Sequence, residues 1–261
     1  MPFQENLDKL CAEIEAHPVY ANSYFYSLQN ARWTKETYAL HRANFFYRTE
    51  LTVKAIAHVC ARAADADDVP TLILFAYILN EECGNGEAKN CHAVLMEGAH
   101  NLFGRAAFDL EPLAVTAARH SPLITEGTNR YRKRMAELAG GSYQRLLGVT
   151  MALESHAEKM LTHCRTAFRR HAEYLDRAQF TREVEVYFNA HLDGGVEERH
   201  AADATDCVRR NCRTTADYDE VAYGAREMLN VQLDMWQDMS ARVLELQARA
   251  PHADPPRSHR A

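Results

Sequence analysis

Helix breakers are scarce in this chain of 261 residues, with 11 glycines and 8 prolines. No stretch alternates apolar and polar residues with the period of two that a half-buried strand needs, so a sheet is not expected. Long hydrophobic runs are missing as well. None approaches the ~20 residues that cross a bilayer, which argues against a membrane partner. There is no cationic excess: 30 Lys and Arg face 36 Asp and Glu, for a net charge of −6, and the cations are scattered. That balance argues against nucleic acid as a partner. The first residues, MPFQENLDKL, place acids early and lack the basic segment of a secretory signal. Cysteine is present but unpatterned. Seven is an odd number, no tight spacing repeats, and a reduced, cytoplasmic chain is the expectation.

What remains is an ordinary globular composition, 47% hydrophobic and 25% charged, long enough to bury a substantial core. Apolar residues recur at helical spacing almost throughout. Helices are expected over 4–16, from the Thr34 N-cap to about residue 64, and over 71–82. Others follow at 87–103 (closed by Gly104), 122–138, 143–173, 179–191, 196–211 and 217–248, with a connector that holds one short helix. No repeat or linker divides the chain. The reading is one all-α domain, residues 1–249, with seven to nine helices. The proline-rich tail 250–261 is expected to be disordered.

Three places put acids or imidazoles on apolar faces. In NEECGNGEAKNCH, Phe75, Leu79 and Glu82 share a face, while Glu81 is turned about 100° away. His92 restarts the chain after Gly84 and Gly86, sharing a face with Leu95 and Met96. In GVTMALESHAEKML, Glu154 interrupts an apolar stripe in mid-helix, with Glu158 one turn on. A buried acid there is costly unless paired, with an arginine or with a metal. His156 reads as a surface or packing residue. In VYFNAHLDGGVEERHAADA, His191 precedes a glycine pair, and Glu197 and His200 follow at Glu-x-x-His spacing, the arrangement that holds two metals in helical bundles. The glycines would let His191 and His200 face one point. Cys83 and Cys91 flank the first segment without CxxC spacing and read as small buried apolar residues. Oxygen and nitrogen donors without thiolate favour iron or manganese over structural zinc.

In this order, EECGNGEAKNCHAVL, ALESHAEKM and HLDGGVEERHAADA resemble the metal-binding segments of the heme-oxygenase-like di-metal oxidases, relatives of the thiaminase II and pyrroloquinoline-quinone synthase fold. The resemblance implies a heme-oxygenase-like helical bundle with Glu82, His92, Glu154, His191, Glu197 and His200 as metal ligands. Glu82 and His92 would serve one ion and Glu197 with His200 the other, with Glu154 able to bridge. The third segment departs from the family's His-x3-Asp-x2-His. Its histidines are nine residues apart, so Glu197 or Asp193 can be the acid, and Glu197 is favoured.

By resemblance the cofactor is Fe(II), two per chain, with O2 as co-substrate. The substrate would be a small carboxylate or amino-acid-derived molecule, met in natural-product biosynthesis. The reactions implied are oxidative C–C cleavage, decarboxylation or N-oxygenation. A homodimer is an open assembly. Tyr38, His41 and Tyr47 on the long helix are candidates for a pocket lining, and an unnamed Arg or Lys is the candidate clamp for a substrate carboxylate. Two rival readings stand beside this one: a metal-free enzyme of the thiaminase II type, and a non-catalytic helical scaffold. A heme oxygenase proper is disfavoured because no proximal histidine is placed near the N-terminus.

Overall fold

The computed structural model describes residues 2–249, and the tail expected to be disordered lies outside them. Ten helices and no strand are found among the described residues. They are α1 (Pro2–Glu15), α2 (Ser23–Asn30), α3 (Lys35–Asp65), α4 (Val69–Glu82), α5 (His92–Phe108), α6 (Glu126–Ala139), α7 (Tyr143–Arg169), α8 (177–192), α9 (Val196–Asn211) and α10 (Thr215–Arg249). Short 3-10 turns fill several of the connections.

One helix more than expected is present, and it is α2. Its eight residues, SYFYSLQN, are too few to display a helical period. What holds it is local: the Asn22 side chain accepts the Phe25 N–H at 3.0 Å, and Tyr24, Phe25 and Leu28 are buried. The long helix α3 opens as the Thr34 cap predicts. The Thr34 hydroxyl accepts the Thr37 N–H at 3.3 Å, and the Thr37 hydroxyl accepts the Thr34 N–H at 2.8 Å, a reciprocal box that satisfies two otherwise unpaired donors. The expected helix over 87–103 is displaced. A loop and a 3-10 turn occupy the residues before His92, and the helix runs through Gly104 to Phe108. It stops at Asp109, which adopts the left-handed conformation with φ 49°.

α7 is the central helix, packed along α10 and α9 and touching α2 and α3. Its side chains from Leu146 to Glu154 are all buried. Around it sits an aromatic core of fully buried rings, among them Phe45, Phe103, Phe168, Phe188 and Trp236. His156 on the same helix is completely buried, held by the Gln232 amide 2.8 Å from Nδ1. It is a packing residue, one of the two readings its spacing allowed.

Candidate metal centre

α4 delivers the first carboxylate. Thr71, Phe75, Ile78 and Glu82 are its buried residues, a stripe at helical spacing that ends on the acid. Gly84, Asn85 and Gly86 then take positive φ values of 81°, 54° and 85°. A Cβ at Gly84 would lie 2.5 Å from the backbone N of Cys91, so the chain can fold back on itself here only with glycine. The reversal sets His92 at the start of α5, with its Nδ1 3.2 Å from Glu82 Oε1. Of the two cysteines read as buried, Cys83 is exposed where α4 ends and Cys91 is half-buried. The turn that brings Glu82 and His92 together pushes the helix terminus, and Cys83 with it, into solvent.

Glu154 enters from the middle of α7, 4% exposed, its Oε1 buried with no partner. Glu158, the alternative acid, is only half-buried and outside the cluster. α8 contains a π-helical turn over Phe180–Val184 before it reaches His191. Gly194 and Gly195, at φ 72° and 67°, then kink the chain into α9. The kink turns His191 and Glu197 toward each other, Nδ1 to Oε1 at 2.5 Å. The His191 and His92 rings lie 4.1 Å apart between centroids. Asp193 is exposed and faces Arg165 at 3.7 Å, so the acid turned inward is Glu197.

His200, fully buried, completes the group with its Nδ1 3.7 Å from Glu154 Oε2. Its other nitrogen, Nε2, lies 2.8 Å from Glu81 Oε2. Helical geometry turns Glu81 away from Glu82's direction, as expected, but that direction leads to His200. The partner sits 119 residues on, and no local pattern in the sequence could reveal it.

Two sets of three donor atoms that could hold a metal ion lie within 4.8 Å of one another: Glu82, His92 and His191, and Glu82, Glu197 and His200. Glu82 belongs to both. The geometry thus places His191 with the first pair and makes Glu82 the shared acid, while Glu154 stands beside His200. The donor set fits a cation on an independent ground. His200 Nδ1 and Glu154 Oε1 are buried polar atoms without a hydrogen-bond partner, a state that proteins seldom leave unfilled. All six residues supply oxygen or nitrogen, the donors that suit iron or manganese.

The charges respond to this crowding. Burial, with Glu197 and Glu82 adding to it, pushes the Glu154 carboxyl well above the usual carboxylate range against a weaker opposing pull from Arg48. Burial would raise Glu82 too, but the hydrogen bond from His92 and the neighbouring imidazoles outweigh it and lower its pKa. Burial would lower His191, but the Glu197 bond and the charges of Glu197 and Glu82 raise it.

A cavity of about 450 Å³ opens onto the group, lined at that end by Glu82, His92, Glu154, His191 and Glu197. Its walls are largely apolar, with Val53, Met96, Leu153 and Met160 among them. Tyr187 lies beside His191, ring centroids 5.1 Å apart, and faces the same space. The pocket residues expected from α3 are different ones. Tyr38 and His41 are fully buried in the aromatic core, and Tyr47 lies under the Arg132 guanidinium. Arg48, Thr49, Thr52 and Val53, further along the same helix, line the cavity instead.

The fold is similar to solved structures. A CADD-like protein of unknown function from Nostoc punctiforme superposes with a TM-score of 0.68 at 17% identity, over 91% of this chain and 98% of that one. A second crystal structure of a CADD-like protein from Nostoc punctiforme gives 0.66 at 16%, over 95% and 100%. A domain of unknown function with a heme oxygenase-like fold from Shewanella denitrificans gives 0.64 at 15%, over 98% and 99%. No curated protein matches the chain. The sequence itself matches a family described as iron-containing redox enzymes across residues 38–233, well over half its length. With an all-helical, heme-oxygenase-like fold and a buried carboxylate–imidazole group beneath a cavity, the chain belongs to that iron-containing redox enzyme family.

Proposed function

We propose that the protein is a non-heme di-iron oxidase or oxygenase that uses O2 on a small carboxylate or amino-acid-derived substrate. The observation that carries this reading is the pair of overlapping ligand triads that share Glu82 at the end of an apolar cavity. Ferrous ions held there would supply the electrons and Lewis acidity that O2 chemistry requires. Glu82, His92 and His191 would hold one ion and Glu82, Glu197 and His200 the other, with Glu154 beside them as a further carboxylate. Three carboxylates offset much of the cationic charge, and the histidines add neutral donors. Glu81 fixes which His200 nitrogen faces the site, because its carboxylate accepts the Nε2 proton and leaves Nδ1 as the donor atom. The apolar walls limit water at the reacting end. Decarboxylation, C–C cleavage and N-oxygenation in natural-product biosynthesis are the reactions the family resemblance points to.

Anaerobic titration of tag-free protein with ferrous iron, followed by O2 uptake with candidate substrates, tests the proposal. About two equivalents per chain are expected, as in other helical-bundle di-metal sites. A protein that binds none would overturn it and favour a metal-free enzyme, for which Cys91 on the cavity wall is the available thiol.

A further inference from the structure

We propose that Arg48 is the substrate anchor: its guanidinium binds the carboxylate of an apolar-bodied monocarboxylate inside the cavity. The inference deepens the proposed function and rests on the cavity being the substrate site.

Arg48 is 3% exposed and lines the cavity from α3. It has no carboxylate partner among the described residues, and its Nε is buried without a hydrogen-bond partner. Its neighbour is the Tyr131 ring, 6.0 Å from the guanidinium carbon to the centroid, a distance at which cation–π attraction is weak. The cations nearby are committed. Lys54, the other cationic side chain on the wall, pairs with Glu50 at 2.6 Å. Arg132 also reaches Glu50, at 3.2 Å, and stacks on Tyr47. Arg42 donates to the Asn101 side chain and the Glu111 carbonyl, each at 2.9 Å. Arg48 alone among these is an enclosed positive charge facing open space.

Such a charge is costly to keep, because a buried ion with no ion-pair partner loses its hydration and recovers only part of it, here from the Tyr131 hydroxyl and the more distant Glu154 carboxyl. Its planar fork matches a carboxylate in bidentate geometry, which an ammonium would not do as well. The apolar side chains around it accept a hydrocarbon or aromatic body, and about 450 Å³ is the scale of a small-molecule site. The same cavity ends on the Glu82 group, so a molecule held by its acid at Arg48 lies along the wall that leads there. Arg48 is a specificity residue in this scheme. It would select anionic substrates over amides and alcohols of the same shape.

The test compares hydrocinnamate with its amide, which has the same shape and no charge. Calorimetric titration is run on the full chain, both metal-free and loaded with redox-inert zinc. Wild type is expected to bind hydrocinnamate more tightly than the amide in both forms. Arg48→Met should weaken hydrocinnamate roughly ten- to hundredfold and leave the amide within about twofold, the scale of a charge-assisted bidentate contact. Arg48→Lys, which keeps the charge but loses the fork, should fall between and serves if the Met variant does not fold. Equal binding of acid and amide by wild type overturns the proposal, as does no binding of either. So does an equal loss of both in Arg48→Met, which would indicate packing. Hydrocinnamate binding that needs zinc and ignores Arg48→Met also overturns it, because the acid would then sit on the metal. Zinc per chain is counted separately. If none binds, the di-iron reading fails while the acid–amide comparison in the metal-free protein still decides the role of Arg48.

Discussion

Glu81 offers the sharpest test of how the centre is built, because it touches only one of the two triads. Its Oε2 lies 2.8 Å from His200 Nε2, and Arg199 reaches Oε1 at 3.3 Å. Burial would raise its pKa, but the bonds from His200 and Tyr77 and the nearby charges lower it, so it remains an anion near neutral pH. The carboxylate holds the His200 proton on Nε2 and leaves Nδ1 free to bind. Replacing Glu81 by Ala removes that constraint, and losses of this kind amount to about 10- to 100-fold in metal affinity, or about 1.4–2.8 kcal/mol. Glu81→Gln keeps an acceptor but not the charge. The difference between a charged and a neutral acceptor is about 1 kcal/mol, so roughly a fivefold loss is expected. Chelator competition with Co(II) or Zn(II) reads both equivalents. One should weaken in the order wild type, Gln, Ala, and the other, served by His92 and His191, should hold. If Glu81→Ala binds both equivalents as wild type does, the orienting role of Glu81 is wrong. If both equivalents weaken together, the two triads are not separable sites.

Three further outcomes follow from the same geometry. Glu197→Ala should lose one metal equivalent while Asp193→Ala keeps both, since Glu197 is buried against His191 and Asp193 faces Arg165; ferrous titration of the two variants decides it. Hydrogen exchange over 190–203 should slow on zinc loading, because two positive-φ glycines interrupt the helix there and the ligands on either side are then tied to one centre; equal protection in both states would count against it. Metal-free protein should lose stability in mild acid. Burial lowers the His41 pKa to about 3 and places those of His100 and His156 well below the ordinary value. The unfolded chain binds protons below about pH 6.5 while these folded histidines stay neutral, so stability falls with pH, and the His41 contribution keeps falling to about pH 3. By pH 5 His41 alone accounts for about 2 kcal/mol. Urea midpoints at pH 7 and 5 check this, and a His41→Asn variant whose midpoint falls as steeply would refute it.

Much of the fold was legible because helices declare themselves through caps and periodicity. Thr34 opens α3, and the apolar stripe of α7 is visible from Leu147 onward. What escaped was governed by tertiary contact. α2 has too few residues to show a period and is held by Asn22 and by the rings it buries. Gly104 reads as a stop, yet α5 continues through it, because the left-handed residue that ends the helix is Asp109.

The site divides in the same way, and one physical rule explains both halves. A charge on an apolar stripe must find a partner, so Glu82 and Glu154 stand out against leucine, methionine and phenylalanine at helical spacing. The glycine pairs mark where the chain can turn the partners inward. Glu81 and Arg48 obey the same rule but sit in polar company, in NEEC and in FYRTELTVK, where any charge looks solvated. Only packing shows that Glu81 reaches a histidine 119 residues away and that Arg48 is enclosed with no acid in ion-pair contact among the described residues. The acids could therefore be found as exceptions to a pattern. Glu81 could be found only once its partner was in place, and Arg48 only once a partner was seen to be missing. If that missing partner is the substrate's own carboxylate, the anchor in this cavity is the kind of residue a single sequence hides best, because the group that completes it is not part of the chain.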